Sequence, residues 1–188
     1  MISVDCVKKI FERIDRMGAM VRFLKPSEYS ITRPLNDLCF PDEEFSREYY
    51  EEGGIQQNRV VVKEVDGKVA AMAHFAPRKA WYRKADGSEY AESVDYIMDV
   101  ATYPQMRHKG YMDEILRFAM EEMRREGKNW TFLVPVDPEI YLHLGFTHHW
   151  KFAKDETDLL YADEGLTECY ACVLNPEAGF KQPLRITA

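Results

Sequence analysis

Residues 96–112 read YIMDVATYPQMRHKGYM, and this stretch decides the fold. Its first part, Tyr96 to Thr102, is an apolar run of residues that favour a β-strand. A short basic loop, Arg107 to Lys109, and then Gly110 follow it, and a long helical pattern begins directly afterwards. The sequence therefore predicts a strand, a basic loop and a helix N-terminus in immediate succession.

This succession is typical of an anion-binding site. The first amides of a helix lack acceptors inside the helix and carry the positive end of its dipole. Gly110 has no Cβ, so a phosphate can approach the backbone closely there. The alternative is an ordinary solvated loop. In a chain with a formal net charge of -7, the adjacent basic side chains of Arg107, His108 and Lys109 favour a bound anion instead.

The loop resembles motif A of the GNAT N-acetyltransferase superfamily, Gln/Arg-x-x-Gly-x-Gly/Ala, which reads here Arg107-His108-Lys109-Gly110-Tyr111-Met112. Met112 departs from the usual Gly or Ala. The resemblance implies that these six residues hold the pyrophosphate of acetyl coenzyme A (acetyl-CoA). It also implies that the strand residues Val100, Ala101 and Thr102 hold the pantetheine arm through their backbone. The hexapeptide alone is a weak signal without its structural context.

That context is present downstream. Trp130 to Val134 predicts a strand, and Asp137-Pro138 predicts the start of a short helix. The segment from Tyr141 to Phe146 resembles the superfamily's motif B, Tyr-x-x-x-Gly-Phe, whose tyrosine is often the general acid. Each motif alone is weak evidence for this superfamily, but the two in the correct order are strong evidence. The amino-acid sequence of residues 100–146 is most similar to the acetyltransferase domain of the enhanced-intracellular-survival branch.

The remaining pattern predicts one α/β domain over residues 1–188. The resemblance implies a mixed, mainly antiparallel twisted sheet with helices on both faces. Asp66-Gly67 joins two β-rich runs, which is typical of a type I′ hairpin, and a second hairpin turn is expected at Asp86-Gly87. Residues 1–18 are expected to form an additional amphipathic helix at the N-terminus, and residues 175–188 an irregular tail.

Composition narrows the possible partners. Hydrophobic residues make up 46% of the chain and charged residues 30%, as in ordinary globular domains. No apolar run approaches the ~20 residues that cross a bilayer. The N-terminus lacks the basic and apolar segments of a secretion signal, so we expect a cytoplasmic protein without a membrane partner. The net charge of -7 argues against a nucleic-acid partner.

Aminolysis of a thioester defines which catalytic groups to seek. The amine must lose a proton, and the expelled thiolate, with a pKa of about 8.5, must gain one. Motif B makes Tyr141 the predicted acid; the alternative is a half-buried aromatic ring that covers the core. Asp99, on the coenzyme strand, is the predicted base. Asp95, Glu92 and His74 are further candidates, and a chain of water molecules could serve instead.

Two groups of potential metal ligands have simpler explanations. His143, His148 and His149 have no carboxylate or cysteine at ligand spacing, so exposed histidines without a metal are expected. Cys169 and Cys172 lie on a β-like run without a second cysteine pair, so two buried thiols are expected. The sequence therefore predicts no metal cofactor.

These features predict an acetyl-CoA-dependent N-acetyltransferase that acts on a small-molecule or peptide amine by direct attack in a ternary complex. The alternative is a non-catalytic acyl-CoA-binding sensor or scaffold, which needs the phosphate loop but not Tyr141. A third possibility is that a further domain or partner completes the acceptor pocket. The apolar face of the helix predicted at residues 3–17 fits a homodimer, and it fits packing on the protein's own sheet equally well.

Overall fold

The computed structural model describes residues 19–153 and 166–188. The helix predicted at residues 3–17, with the dimer face that it would supply, lies outside these residues. Residues 154–165 lie outside them as well.

Eight strands form the sheet in the described residues. They are β1 (Ala19–Phe23), β2 (Arg59–Val65), β3 (Lys68–Arg83), β4 (Glu89–Thr102), β5 (Trp130–Leu133), β6 (Phe146–Ala153), β7 (Leu166–Val173) and β8 (Arg185–Thr187). Their order is β1-β2-β3-β4-β5-β7-β6, and β8 pairs with β3. The β4–β5 pair is parallel, whereas β1–β2, β3–β8, β5–β7 and β6–β7 are antiparallel. The predicted mixed, mainly antiparallel sheet is confirmed.

Four α-helices accompany the strands in the described part of the chain. They are α1 (Arg33–Cys39), α2 (Glu43–Tyr50), α3 (Tyr111–Arg125) and α4 (Glu139–Leu142), with 3-10 turns at Pro26–Thr32, Gly54–Gln57 and Pro104–Met106. Asp42 caps α2, because its side chain accepts a hydrogen bond of 2.9 Å from the Phe45 amide. None of the helices in residues 19–153 and 166–188 has the length and apolarity to span a membrane.

The two predicted hairpins both form. Asp66 and Gly67 have φ values of 52° and 73°, as a type I′ turn requires. The second hairpin was predicted to join a strand near Lys79–Arg83 to the strand Tyr96–Thr102. Its arms are longer, since β3 runs without a break from Lys68 to Arg83 and β4 begins at Glu89 rather than at Tyr96. Residues 89–95, next to the turn of this hairpin, include exposed polar side chains, so a search for apolar runs does not identify this part of the strand.

The described chain divides into two compact units, and β3, β4 and α3 each contribute to both. The first unit comprises residues 19–73 and 99–116, and the second comprises residues 74–98, 117–153 and 166–188. The core of the first unit contains buried side chains from helices, strands and the turns between them: Leu24, Tyr29, Leu35, Tyr49, Ile55, Val60, Val62, Met72 and Ala101. Burial of each large apolar side chain contributes about 1.5–3 kcal/mol.

The second unit has an aromatic core. Trp130 on β5 packs edge-on against Trp150 on β6, with ring centroids 5.8 Å apart, and against Phe180 at 5.4 Å. Phe180 belongs to the C-terminal segment, which also supplies β8 through the pairing of Ile186 with Ala80. The prediction of an irregular tail over residues 175–188 was therefore wrong at β8, because a three-residue strand is too short to show a period.

Candidate functional site

The loop between β4 and α3 is shaped by its backbone. After the 3-10 turn, Arg107 is extended, and its Nε donates a hydrogen bond of 3.2 Å to the carbonyl oxygen of Thr102. His108 and Gly110 both adopt left-handed conformations, with φ values of 61° and 77°. The side chains of Arg107, His108 and Lys109 are exposed. The chain thus reverses within a few residues and presents basic side chains at the start of α3.

The N-terminus of α3 provides unsatisfied backbone donors. The Glu114 amide donates to the carbonyl oxygen of Gly110 at 3.1 Å, which is the first bond of the helix. The amides of Tyr111 and Met112 precede it and have no acceptor within the helix. A Cβ built on Gly110 would meet no atom within 4 Å, so the space beside the loop is open. Residues 107–112 therefore come together as a cradle suited to a phosphate.

Lys63 is a basic residue of this region that sequence analysis missed. It lies on β2, is only 6% exposed, and forms an ion pair of 2.5 Å with Glu114 in the first turn of α3. Its ammonium also lies 5.4 Å from the centre of the Tyr111 ring. A lysine at the end of the apolar run Val60 to Val62 is an anomaly that could have pointed to it. Lys63 thus fixes the beginning of α3 and neutralises the Glu114 carboxylate beside the loop.

Asp99 interrupts β4 with an unusual backbone. Its φ is 49°, a left-handed conformation that a non-glycine residue adopts at a cost of about 1–2 kcal/mol. The residue pairs of β4 with β5 end at Ile97 and Leu133, before this point. The Asp99 side chain is 8% exposed. Val100, Ala101 and Thr102 follow it on β4, in the same unit as the cradle. A strained residue of this kind is typical of a functional site.

Asp95 and His74, two other candidates for the base, are both buried in the second unit. Asp95 is fully buried and pairs with Lys128, and its backbone carbonyl accepts a hydrogen bond of 2.8 Å from the Thr131 hydroxyl. His74 is fully buried on β3. The Asp95 carboxylate is therefore committed to an ion pair, whereas Asp99 lies in the same unit as the cradle.

Tyr141 belongs to α4 in the second unit. It is 9% exposed, and its ring packs edge-on against Phe146 with centroids 6.1 Å apart. Burial raises the pKa of Tyr141 above its ordinary value, and the nearby carboxylate of Asp137 raises it further. The phenol therefore holds its proton at neutral pH, as a general acid must, although the raised pKa makes it a weaker acid than an exposed tyrosine.

Packing explains why the motif B segment has a glycine at position 145. Gly145 connects α4 to β6 with a φ of 97°, and a Cβ there would lie 3.1 Å from the Cys172 sulfur. The helix before it starts one residue later than predicted, since Pro138 occupies the N-cap position. The Asp137 carboxylate accepts instead from the Glu139 amide at 3.1 Å. The spacing from Tyr141 to Gly145 thus reflects the last turn of α4 followed by a glycine whose backbone is left-handed.

The histidines and cysteines have the surroundings expected of them. His143, His148 and His149 are exposed. Cys169 and Cys172 are buried free thiols, and burial raises the pKa of Cys169 to about 12. In the described residues, no group of three or more His, Cys, Asp or Glu side chains is placed to hold a metal ion.

Comparison with known proteins gives a family match. The model of the acetyltransferase (GNAT) domain matches residues 20–149. The GNAT family N-acetyltransferase YhbS from Escherichia coli, solved in complex with CoA, has a TM-score of 0.64 at 13% identity, over 90% of this chain and 88% of that one. A GNAT family acetyltransferase from Brucella melitensis in complex with acetyl-CoA has a TM-score of 0.60 at 15% identity, over 88% and 92%. No protein of curated function matches.

Other similar structures are much longer than this chain. A probable N-acyltransferase from Enterococcus faecalis has a TM-score of 0.58 at 17% identity, over 70% of this chain and 33% of that one. Eis1 from Mycobacterium abscessus has a TM-score of 0.55 at 13% identity, over 71% and 32%. The chain therefore spans about a third of the length of these two proteins. At such identities the likeness shows the fold alone.

Gly145→Ala should lower the free energy of unfolding by about 2–3 kcal/mol, because the new methyl group meets both an unfavourable φ and the Cys172 sulfur. Gly87→Ala is the matched control: its φ is 86° and nothing lies within 4 Å, so about 1 kcal/mol is expected. Urea denaturation measures both. In a Cys172→Ala background the cost at Gly145 should approach that at Gly87. Equal costs in the original background would contradict the packing explanation.

Proposed function

The chain belongs to the acetyltransferase (GNAT) family, and on that premise we propose that it transfers the acetyl group of acetyl-CoA to an amine. The observation that carries the proposal is the cradle at residues 107–112, where left-handed residues bring exposed basic side chains to the N-terminus of α3. A site of this kind binds phosphate groups. The structures of the Escherichia coli and Brucella melitensis relatives in complex with CoA and acetyl-CoA support this choice of ligand.

The proposed coenzyme site extends from the cradle along β4. The amides at the start of α3 bind the pyrophosphate, with Arg107, Lys109 and the buried Lys63 supplying positive charge. The backbone of Val100, Ala101 and Thr102 holds the pantetheine arm, as motif A implies. This part of β4 lies beyond its last residue pair with β5. Its backbone N–H and C=O groups on that side can therefore form hydrogen bonds with an extended ligand.

The proposed chemistry is direct attack. The amine nitrogen forms a bond with the thioester carbon, and backbone amides near residues 100–102 stabilise the negative charge on the carbonyl oxygen. The C–S bond then breaks. Asp99 takes the proton that the amine loses, and Tyr141 donates a proton to the leaving thiolate. The buried, protonated phenol of Tyr141 and the strained backbone of Asp99 support these roles.

Three finer points belong to the same proposal. The amino-acid sequence of residues 100–146 supports membership of the enhanced-intracellular-survival branch. The acceptor is a small molecule or peptide that carries an amino group. The apolar face predicted at residues 3–17 supports a homodimer, which light scattering would distinguish from a 22.0 kDa monomer.

Gly110→Glu should abolish the binding of acetyl-CoA, because a carboxylate would occupy the open space of the cradle and repel the pyrophosphate. Isothermal calorimetry should show wild-type binding with a dissociation constant of about 1–50 μM. Gly87→Glu is the matched control, since it places the same charge at a similar φ outside the cradle. Unchanged affinity of a folded Gly110→Glu protein would remove the cradle from the coenzyme site.

Lys63→Met should weaken acetyl-CoA binding about tenfold. This is the effect of one charge roughly 10 Å away at an effective dielectric constant of about 20. Adding Glu114→Gln should recover most of the loss, because the local charge balance is restored. Lys79→Met, at an exposed position on β3, is the control that should leave the affinity unchanged. A loss at Lys63 that the second substitution does not reduce would show a steric effect instead of an electrostatic one.

Tyr141→Phe should lower kcat by about 10²–10⁴, nearer the lower value because a thiolate is itself a tolerable leaving group. KM and coenzyme affinity should change little, since the proton is needed only in the transition state. Thiol release with an amine panel measures the rates, and Tyr170→Phe controls for the loss of a phenol. Wild-type turnover in Tyr141→Phe would remove it from the mechanism. Coenzyme binding by the wild type without acetylation of any amine would favour the sensor or scaffold.

A further inference from the structure

The segment that carries Tyr141 has little support of its own. The helix α4 comprises only the four residues Glu139–Leu142, and a turn that ends at Gly145 follows it. Three backbone hydrogen bonds of 3.0 Å, each spanning three residues, hold the chain between Pro138 and Gly145. A helix of one turn is marginal in water without tertiary packing. Contacts with the sheet must therefore hold α4 in place.

Packing rather than a hydrogen bond places the Tyr141 side chain. Its hydroxyl has no hydrogen-bond partner among residues 19–153 and 166–188. Its ring meets Phe146, the first residue of β6, edge-on with the centroids 6.1 Å apart. The position of the hydroxyl therefore depends on how the turn between α4 and β6 is attached to the sheet.

A buried thiol of the sheet reaches this turn. Cys172 lies on β7, opposite Phe146 in the β6–β7 register and 28 residues after Leu144 in the chain. Its thiol donates a hydrogen bond of 3.5 Å to the carbonyl oxygen of Leu144, whereas the carbonyl oxygen of Val173 is farther away at 3.8 Å. Burial raises the pKa of Cys172, although the charge of Arg124 lowers it, so the thiol keeps its proton at neutral pH.

The sulfur of Cys172 also limits how closely the turn approaches β7. A Cβ on Gly145 would lie 3.1 Å from it, so the glycine backbone packs directly against the sulfur. The register of β6 then shifts between Phe146 and His148, immediately after the turn. Cys172 thus acts on the turn twice, through the hydrogen bond to Leu144 and through packing on Gly145. A methyl group in place of the thiol would be smaller and would donate no proton.

We propose that Cys172 is a positioning residue for Tyr141, because its thiol fixes the turn between α4 and β6 and so holds the phenol in place for proton donation. The inference rests on the proposed function, in which Tyr141 is the general acid. Both residues belong to the second unit. Cys172 has no contact with the reacting atoms in this role. A displacement of about 1 Å at a catalytic group can slow a reaction about 10²-fold, so a weak thiol hydrogen bond is sufficient.

Cys172→Ala should lower kcat about tenfold with little change in KM, because only the proton transfer depends on the position of Tyr141. Cys172→Ser keeps a donor of similar size and should retain most of the wild-type kcat. Cys169→Ala is the matched control, since this second buried thiol of β7 pairs with Trp150, four residues along β6 from the turn. It should lower stability and leave kcat unchanged. Thiol release with the amine panel measures the rates.

A double-mutant cycle tests whether Cys172 acts through Tyr141. In a Tyr141→Phe background, adding Cys172→Ala should cause no further loss of kcat, because no phenol is left to position. Equal losses from Cys172→Ala in both backgrounds would overturn the inference. Wild-type kcat in Cys172→Ala would overturn it as well, and thermal unfolding establishes that each variant is folded.

NMR measures the positioning without any turnover. The full chain is labelled with ¹³C at the backbone carbonyls and in the tyrosine rings. Cys172→Ala should shift the Leu144 carbonyl and Tyr141 ring resonances, and Cys172→Ser should return both towards their wild-type positions. The ring resonance of Tyr90, which stacks on Tyr82 at 5.2 Å, should stay unchanged and serves as the internal reference.

The outcomes separate this inference from the proposed function. An unshifted Tyr141 resonance in Cys172→Ala overturns the inference, and so do equal shifts in Cys172→Ala and Cys172→Ser. Failure of the proposed function is seen independently, as absent binding of acetyl-CoA by the wild type in calorimetry. The NMR comparison decides whether Cys172 positions Tyr141 in either case.

Discussion

The first amides of α3 can bind an anion only if the chain reverses sharply before the helix begins. The left-handed backbone of His108 and Gly110 provides this reversal. It places the end of β4 and the start of α3 side by side, and it keeps the space beside Gly110 open. The cradle therefore depends on backbone geometry first and on the basic side chains second.

The rest of the first unit supports this geometry. Lys63 reaches from β2 to Glu114 and holds the first turn of α3 in place. The Tyr103 amide donates to the Ala70 carbonyl at 3.0 Å, which ties the end of β4 to β3. An acidic protein thus concentrates positive charge at one location for the coenzyme.

Sequence analysis succeeded where a local rule determines the structure. Asp66-Gly67 specifies a type I′ turn, the apolar stripe specifies α3, and the basic residues before Gly110 specify the cradle. The candidate residues of β4 and the loop lie in one unit. Their roles, like that of Tyr141, stay predictions.

It failed where the decisive contact joins residues far apart in the chain. Lys63 meets Glu114 across 51 residues, and Leu144 meets Cys172 across 28. No periodicity or motif marks such pairs. The β8 strand exists through its partner β3 rather than through its own three residues. The left-handed conformation of Asp99 also has no local signature, since aspartate adopts it only occasionally.

An NMR titration of backbone amides tests the central claim most directly. The claim is that the start of α3 binds the pyrophosphate of acetyl-CoA through main-chain donors. In a ¹⁵N-labelled protein, acetyl-CoA should shift the amide signals of residues 110–112 most strongly, and acetylpantetheine, which lacks the pyrophosphate, should leave them nearly unchanged. Equal shifts with both compounds, or strong shifts confined to other parts of the chain, would contradict the account.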